Sequence, residues 1–455
     1  MYKFLNFIKL IIIFFIFAVS NSISYAKTLD ESISQGLSHS ISLSAASLEW
    51  AALSEQLNQS SAGSEITGTL RGSFSESYSG QTGTYSNSHS NNITATLSKS
   101  LYDGGVTNNE KLIARLKIKQ KSLQIKLMEQ SVILDIALIH LKTFLAKKVK
   151  DLREKNIQRV TEQVEANKAR YSAGAINRTV LAASEARLAR AQSQLISARV
   201  DLNNAVSEYT SLVGETPGNI ILPELPKGLP KDFIEAENRS EKNSMNIALA
   251  KLNLSLNKAK YDSLIASVMP KVSTSLSGTI SETTKSGSTE GISLSLSLSS
   301  PLFYTPATSS KNRELVAGSK ALEYDLDETI RKTKLSAKLN MESFNSLLSQ
   351  ISAYEEELAA AKIAAISVQK ETEFGAKTIL DVLDADIDVV NAEIGLWQSK
   401  SDSINSALKL LSSLGELSTE KLGLKPTAPQ YKQIEIVAPP LPSPLSILKF
   451  GNWEN

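Results

Sequence analysis

The stretch Thr378–Trp397, TILDVLDADIDVVNAEIGLW, decides how the rest of the chain is read. Asp381, Asp384, Asp386 and Asp388 crowd its first half. At 3.6 residues per turn, Asp381, Asp384 and Asp388 share one helix face, and Asp386 lies off it. Leu383, Val390 and Trp397 recur every seven residues on another face, and Ile404 and Leu411 continue the row. The spacing predicts a helix with an acidic start and a coiled-coil-like seam. Phe374-Gly375 stands just before it as a turn, and a far longer helical pattern runs up to that turn. The stretch therefore reads as one arm of a tight hairpin between two long helices, with acids gathered at the bend.

Outward from this hairpin, the chain repeats itself. Leu101 and Leu302 lie 201 positions apart, as do Gly174 and Gly375, and Leu181 and Leu383 lie 202 apart. Strand end, hairpin glycine and heptad seam are all displaced by nearly the same amount, which marks an internal duplication. Each copy is expected to hold a helix, two strands, a very long helix, a glycine turn and a second helix. In the first copy, Thr28–Ser60 reads as helix. Alternation over 66–74 and 93–101 predicts two strands of ~10 residues, with a polar loop over Ser79–Ser90. Val106–Tyr171 has neither proline nor glycine and would span on the order of 100 Å as one helix. Leu181, Leu188, Leu195 and Leu202 then repeat every seven residues, with Ser184, Ala191, Ala198 and Ala205 three positions after each. In the second copy, Asn238–Ser267 is helical, 272–280 and 292–298 are strands, and Glu282–Glu290 is a loop. Ala307–Glu373 is the second long helix. The predicted boundaries are a signal peptide at 1–26, a first repeat at 27–213, a Pro-rich linker at 214–235, a second repeat at 236–415 and a Pro-rich tail at 416–455.

Composition narrows the setting. The chain has 455 residues, 42% hydrophobic and 21% charged, enough for a large folded body. Lys3 and Lys9, the apolar run Leu10–Val19 and Ser24-Tyr25-Ala26 form a secretory signal pattern. Removing it takes away two lysines, leaving 47 basic against 47 acidic residues. A neutral chain is no nucleic-acid binder. There is no cysteine, hence neither disulfides nor a lipid anchor. Beyond the signal, no apolar run reaches the ~18 residues of a membrane helix. Any membrane crossing must use a β-barrel. His39, His89 and His140 are scattered and form no metal cluster. No nucleophile–base constellation or phosphate loop is present, so neither an enzyme nor a cofactor is expected.

The strands alternate large aliphatics with Ser, Thr and Gly, which suits one face to lipid and one to water; a soluble sheet with one dry face would alternate in the same way. Four strands cannot close a barrel, and open edges are not tolerated in lipid. Three copies would supply twelve strands and six hairpins around one axis.

The chain resembles the TolC family of outer-membrane efflux proteins over roughly residues 28–415. The resemblance is carried by Leu101-Tyr102-Asp103-Gly104-Gly105, by Arg170-Tyr171-Ser172-Ala173-Gly174-Ala175, by Gly375-Ala376-Lys377-Thr378-Ile379-Leu380-Asp381-Val382-Leu383-Asp384-Ala385, and by the duplicated element order. It implies an α+β membrane protein: a homotrimer whose twelve-stranded β-barrel, four strands per chain, continues into a long α-helical coiled-coil tunnel in the periplasm. It also implies a passive exit duct of a tripartite efflux pump or type I secretion system. The implied partners are a periplasmic adaptor protein and an inner-membrane pump or ABC exporter. Without cysteine the chain falls in the unlipidated branch. Asp381 and Asp384 match acidic rings at the tunnel's periplasmic mouth, a constriction that binds cations. Lys377 matches a basic position that helps close it, and Gly174 and Gly375 match hairpin tips in reach of the adaptor. Two departures bear on closure: the first repeat has Thr179-Val180 where the family usually has an acid after Thr, and Thr372 stands where an aromatic is usual. Pro301-Leu302-Phe303 also leads into Tyr304-Thr305-Pro306 without a Gly-Gly pair. The competing expectation is a non-channel trimeric coiled-coil structural or surface protein, whose strands would pack on a dry face.

Overall fold

The computed structural model describes residues 26–81, 84–284 and 287–422. Residues 1–25 of the expected signal peptide and 423–455 of the expected tail lie outside them. The chain forms two compact units, one of 26–40, 129–244 and 333–422, the other of 41–128 and 245–332.

The second unit carries the sheet. Strands β2 (Thr67–Gln81) and β3 (Thr84–Tyr102) belong to the first repeat, β5 (Lys271–Thr283) and β6 (Gly287–Ser299) to the second. All four join in one antiparallel sheet of order β2-β3-β5-β6. Pairing of β3 with β5 thus fuses the two repeats. Cross-strand rows such as Leu70–Ala95–Gly278–Ile292 and Gly68–Leu97–Leu276–Leu294 build one apolar face. Rows such as Thr69–Thr96–Ser277–Ser293 build the other. There Thr94 and Thr279 hydroxyls meet at 3.3 Å, and Thr96 and Ser277 at 3.2 Å. The apolar face is open within the chain: Leu294 is 78% and Ile292 86% exposed.

The strands exceed the ten residues expected, at 15, 19, 13 and 13. Most of 79–90 and 282–290, read as polar loops, is ladder instead. Ser, Asn and Gly there give no apolar alternation, yet their backbones pair in register from Phe74↔Asn91 out to Gln81↔Thr84. A ladder is held by backbone groups, so it can run on where the side chains leave no pattern.

Helices of the same unit bury apolar residues such as Leu43, Ile125, Leu252 and Leu315 and are also joined by polar bridges. The helices are α2 (Ile41–Gln59), the start of α3 (Val106–Ser172), α6 (Met245–Ser267) and the start of α7 (Pro306–Glu373). Asn257 donates to Leu315 O at 3.0 Å and to Ser319 Oγ at 2.7 Å, Gln120 donates to Asn253 at 2.7 Å, and Lys121 pairs with Glu49.

The first unit contains α1 (Leu29–His39), the remainder of α3, α4 (Arg178–Val213), α5 (Phe233–Asn243), the remainder of α7 and α8 (Ile379–Ser413). A parallel bridge joins β1 (Ala26–Lys27) to β4 (Asn219–Ile220). The seam read from the sequence is buried: Leu383, Val390, Ile404 and Leu411 are each under 8% exposed. Trp397 of the same row meets Phe144 edge-on at 5.8 Å. In α4, Ser184, Ala191, Ala198 and Ala205 are buried as well. Their small side chains let neighbouring backbones approach.

Two expected helices are each broken. Thr28–Ser60 splits at Ser40, whose ψ of 107° is extended, and the helix expected from Asn238 starts at Phe233 and splits at Ser244. No proline or glycine marks either break. In the first case the segment is rich in serine, and Ser38 and Ser47 hydroxyls donate to nearby carbonyls. Such local bonds offer the backbone an alternative to the helix.

Candidate functional site: the hairpin tips and their carboxylates

Both hairpins turn in the same way. At the first, Gly174 N–H donates to Tyr171 O and Ala175 N–H to Arg170 O, each at 2.9 Å. At the second, Gly375 N–H donates to Thr372 O at 3.1 Å and Ala376 N–H to Glu371 O at 2.9 Å. Gly174 and Gly375 have φ of 74° and 76°, the left-handed geometry that closes a helix C-terminus. Helix α4 then starts on Asn177, whose side chain accepts from Val180 N–H. Helix α8 starts on Thr378, with a reciprocal capping box to Asp381.

That box occupies Asp381. Its Oδ2 accepts from the backbone N–H and from the hydroxyl of Thr378, both at 2.7 Å. The hydroxyl bond, then the backbone bond, hold its carboxyl below the ordinary carboxylate value, and Lys377 and Arg187 add to the effect by charge. Thr372 fits into the same turn, its hydroxyl 2.8 Å from Val368 O and 3.4 Å from Thr378 O.

Asp384 lies one turn further on, exposed, and is held by a residue the sequence reading passed over. Arg187 of α4 donates to it through three contacts: Nη2 to Oδ1 at 2.8 Å, Nη2 to Oδ2 at 2.7 Å and Nε to Oδ1 at 3.2 Å. Asp386 is half-buried. Burial raises its carboxyl above the ordinary value, and Arg159 of α3, 3.6 Å away, opposes this. Asp388 is exposed. Beneath these ion pairs, Val160, Val164 and Leu383 pack together with Leu188. A signal for Arg187 was present: it adjoins seam residue Leu188, as Asp384 adjoins seam residue Leu383. Positions flanking a coiled-coil seam pair by charge across it. Gly174, Gly375, Asp381 and Asp384 thus all lie at or near the bends, and Arg187 ties the second hairpin's acid to the first hairpin. Among the described residues no group of acids and histidines in one chain could hold a metal ion.

Residues 32–215 match the family described as outer membrane efflux protein, and residues 238–416 match it again. The chain belongs to the outer membrane efflux protein family. The double match falls on the two repeats. This efflux protein is 27% identical to outer membrane efflux protein BepC of Brucella suis over 347 residues, 74% of this chain and 75% of that one. It is 27% identical to alkaline protease secretion protein AprF of Pseudomonas aeruginosa over 282 residues, 58% of this chain and 57% of that one. Its fold matches the Campylobacter jejuni CmeC outer membrane channel at a TM-score of 0.74, with 14% identity and 85% of each chain covered. The TolC-type fold expected from the sequence therefore holds, with four strands and duplicated long helices in each chain and an outer-membrane setting with a periplasmic helical part; channels of this family are trimeric. Members of the family are channels, not enzymes, and work with adaptor and inner-membrane pump proteins.

Proposed function

We propose that this efflux protein is the passive outer-membrane exit duct of a tripartite efflux pump or type I secretion system, gated at an acidic periplasmic mouth. The observation that supports a mouth of this kind is the placing of Asp381 and Asp384 in the first turns of α8, directly behind the Gly375 bend. In a trimer they make six carboxylates around one axis, a ring that favours cations and binds divalent ions. Lys377, whose charge acts on Asp381, is the gate-closing cation of this reading. Gly174 and Gly375 mark the tips offered to a periplasmic adaptor, with an inner-membrane pump or ABC exporter beyond it. The names of BepC and AprF speak of efflux and of protease secretion, so drugs, other small molecules and polypeptides are all in scope as cargo. The boundaries 27–213 and 236–415 are those of the two repeats in this scheme.

The test is conductance across a planar bilayer for the detergent-purified trimer and for Asp381→Asn with Asp384→Asn. The expected outcome is cation-selective openings blocked by divalent ions, with the block lost in the double variant. Block unchanged in the double variant would place the constriction elsewhere.

A further inference from the structure

We propose that Arg187 sets the effective charge of the mouth by neutralising Asp384, and so determines how strongly the duct binds cations. The inference rests on the acidic mouth proposed above. Of the two carboxylates assigned there, Asp381 is engaged by its own helix cap. Asp384 carries no such duty, and its side chain is 58% exposed while that of Arg187 is only 20% exposed. The cation is thus the better-held partner and the carboxylate the more accessible one. Three N–H···O contacts fit the planar fork of a guanidinium to a carboxylate, a geometry lysine cannot reproduce. The pair joins α4 to α8, so it depends on the two hairpins standing side by side.

The consequence is a masked ring. Three copies carry three Asp384 charges, each matched by one Arg187. An arriving cation meets ion pairs rather than bare carboxylates, and it must compete with a guanidinium for the same oxygens. An exposed ion pair is weak, so a divalent ion can compete, at reduced affinity. Any movement that draws α4 away from α8 unmasks the ring. Arg187 thereby couples hairpin position to cation affinity without itself contacting the cargo path's ion.

The experiment titrates divalent block in planar bilayers, using magnesium as the probe, for the wild-type trimer, Arg187→Gln, Arg187→Lys, Asp384→Asn and Arg187→Gln with Asp384→Asn. Removing the competing charge is expected to tighten block by about twofold to fivefold, the scale of an exposed ion pair. Arg187→Lys keeps the charge but loses the fork, and should fall between wild type and Arg187→Gln. It also serves if Arg187→Gln fails to assemble. In the double variant the tightening should vanish, because its target is gone. Block in Arg187→Gln equal to wild type, with Asp384→Asn still weakening it, would overturn the role of Arg187 and leave the acidic mouth standing. Block unaffected by every variant would overturn this inference and remove Asp384 from the mouth, leaving Asp381 to the double-variant test above.

Discussion

At the scale of single residues, buried polar groups join elements of the first unit alongside its apolar core. His140 is fully buried. A carbonyl can only accept, so His140 Nε2–H donates to Ile221 O at 3.1 Å, and Nδ1 is left to accept from Ser32 Oγ at 2.9 Å. Tyr209 in turn lies 2.7 Å from Ser32 Oγ. The chain of bonds links α1, α3, α4 and the segment after β4. Burial holds the imidazole below its ordinary value of 6.5; the Ile221 bond opposes this and the Lys27 charge reinforces it. The unfolded chain therefore takes up a proton here where the folded chain does not. Stability from this site is complete above about 6.5 and declines as pH falls below it. Replacing His140 with Gln should cost about 2 kcal/mol at neutral pH by orphaning its partners, and should flatten the loss of stability between pH 7 and pH 5. Thermal melts of both proteins in detergent at the two pH values measure this; equal acid sensitivity would exclude His140 as the titrating group. From the sequence, His140 was one of three scattered histidines. Its partners are 108 and 81 positions away, and no local pattern announces contacts of that span. Asp381 is the opposite case, because Thr378 three residues before it spells a capping box locally.

Among the elements, the turns distinguish two uses of glycine. Gly375 needs its positive φ, but nothing lies within 4 Å of where a Cβ would sit. Gly375→Ala should therefore cost only the backbone penalty, about 1–2 kcal/mol. Gly415 has φ of 69°, and a Cβ there would stand 2.3 Å from Asn243 O. Gly415→Ala should cost about 1–3 kcal/mol more for overpacking against a backbone that cannot rotate away. Denaturant titration of the two variants gives the ordering, and equal losses would refute the packing argument. The first long helix was legible because 66 residues without proline or glycine admit little else, and the second because Gly318 alone interrupts its pattern. Val106–Ser172 and Pro306–Glu373 match the reading to within a residue at each end. The breaks at Ser40 and Ser244 were not legible, since neither a proline nor a glycine stands at either one. The outer halves of the strands were hidden for a related reason: a water-facing ladder of Ser and Asn looks like a loop.

For the whole molecule, the open apolar face and the two outer strands set the terms. Strands β2 and β6 are edges within the chain, and edges in lipid must be paired by another copy. Leu294, in the middle of β6 and facing outward with Leu276 and Leu97 in its row, lies on the lipid side. Leu294→Arg should cost about 2–4 kcal/mol if it sits near the bilayer centre, seen as a lower yield of urea-resistant trimer in vesicles. Ser293→Arg, on the opposite face of the same strand, should insert like wild type. If the two variants insert alike, the assignment of faces is wrong. The duplication was visible by subtraction alone. The joining of both copies in one sheet was not, because pairing of β3 with β5 depends on residues such as Thr94 and Thr279, 185 apart.

That joint also orders events in time. Strands β2 and β3, or β5 and β6, are neighbours in sequence and close as local hairpins within microseconds. Pairing β3 with β5 must close a loop that includes both arms of the first helical hairpin, and contacts so distant form late. Until they do, each nascent chain carries two greasy ribbons with unsatisfied edges, the state most prone to clump. A slow closure of β3 on β5 lengthens the time for which these ribbons lie open, so the rate of that closure bears on how many chains reach the folded sheet.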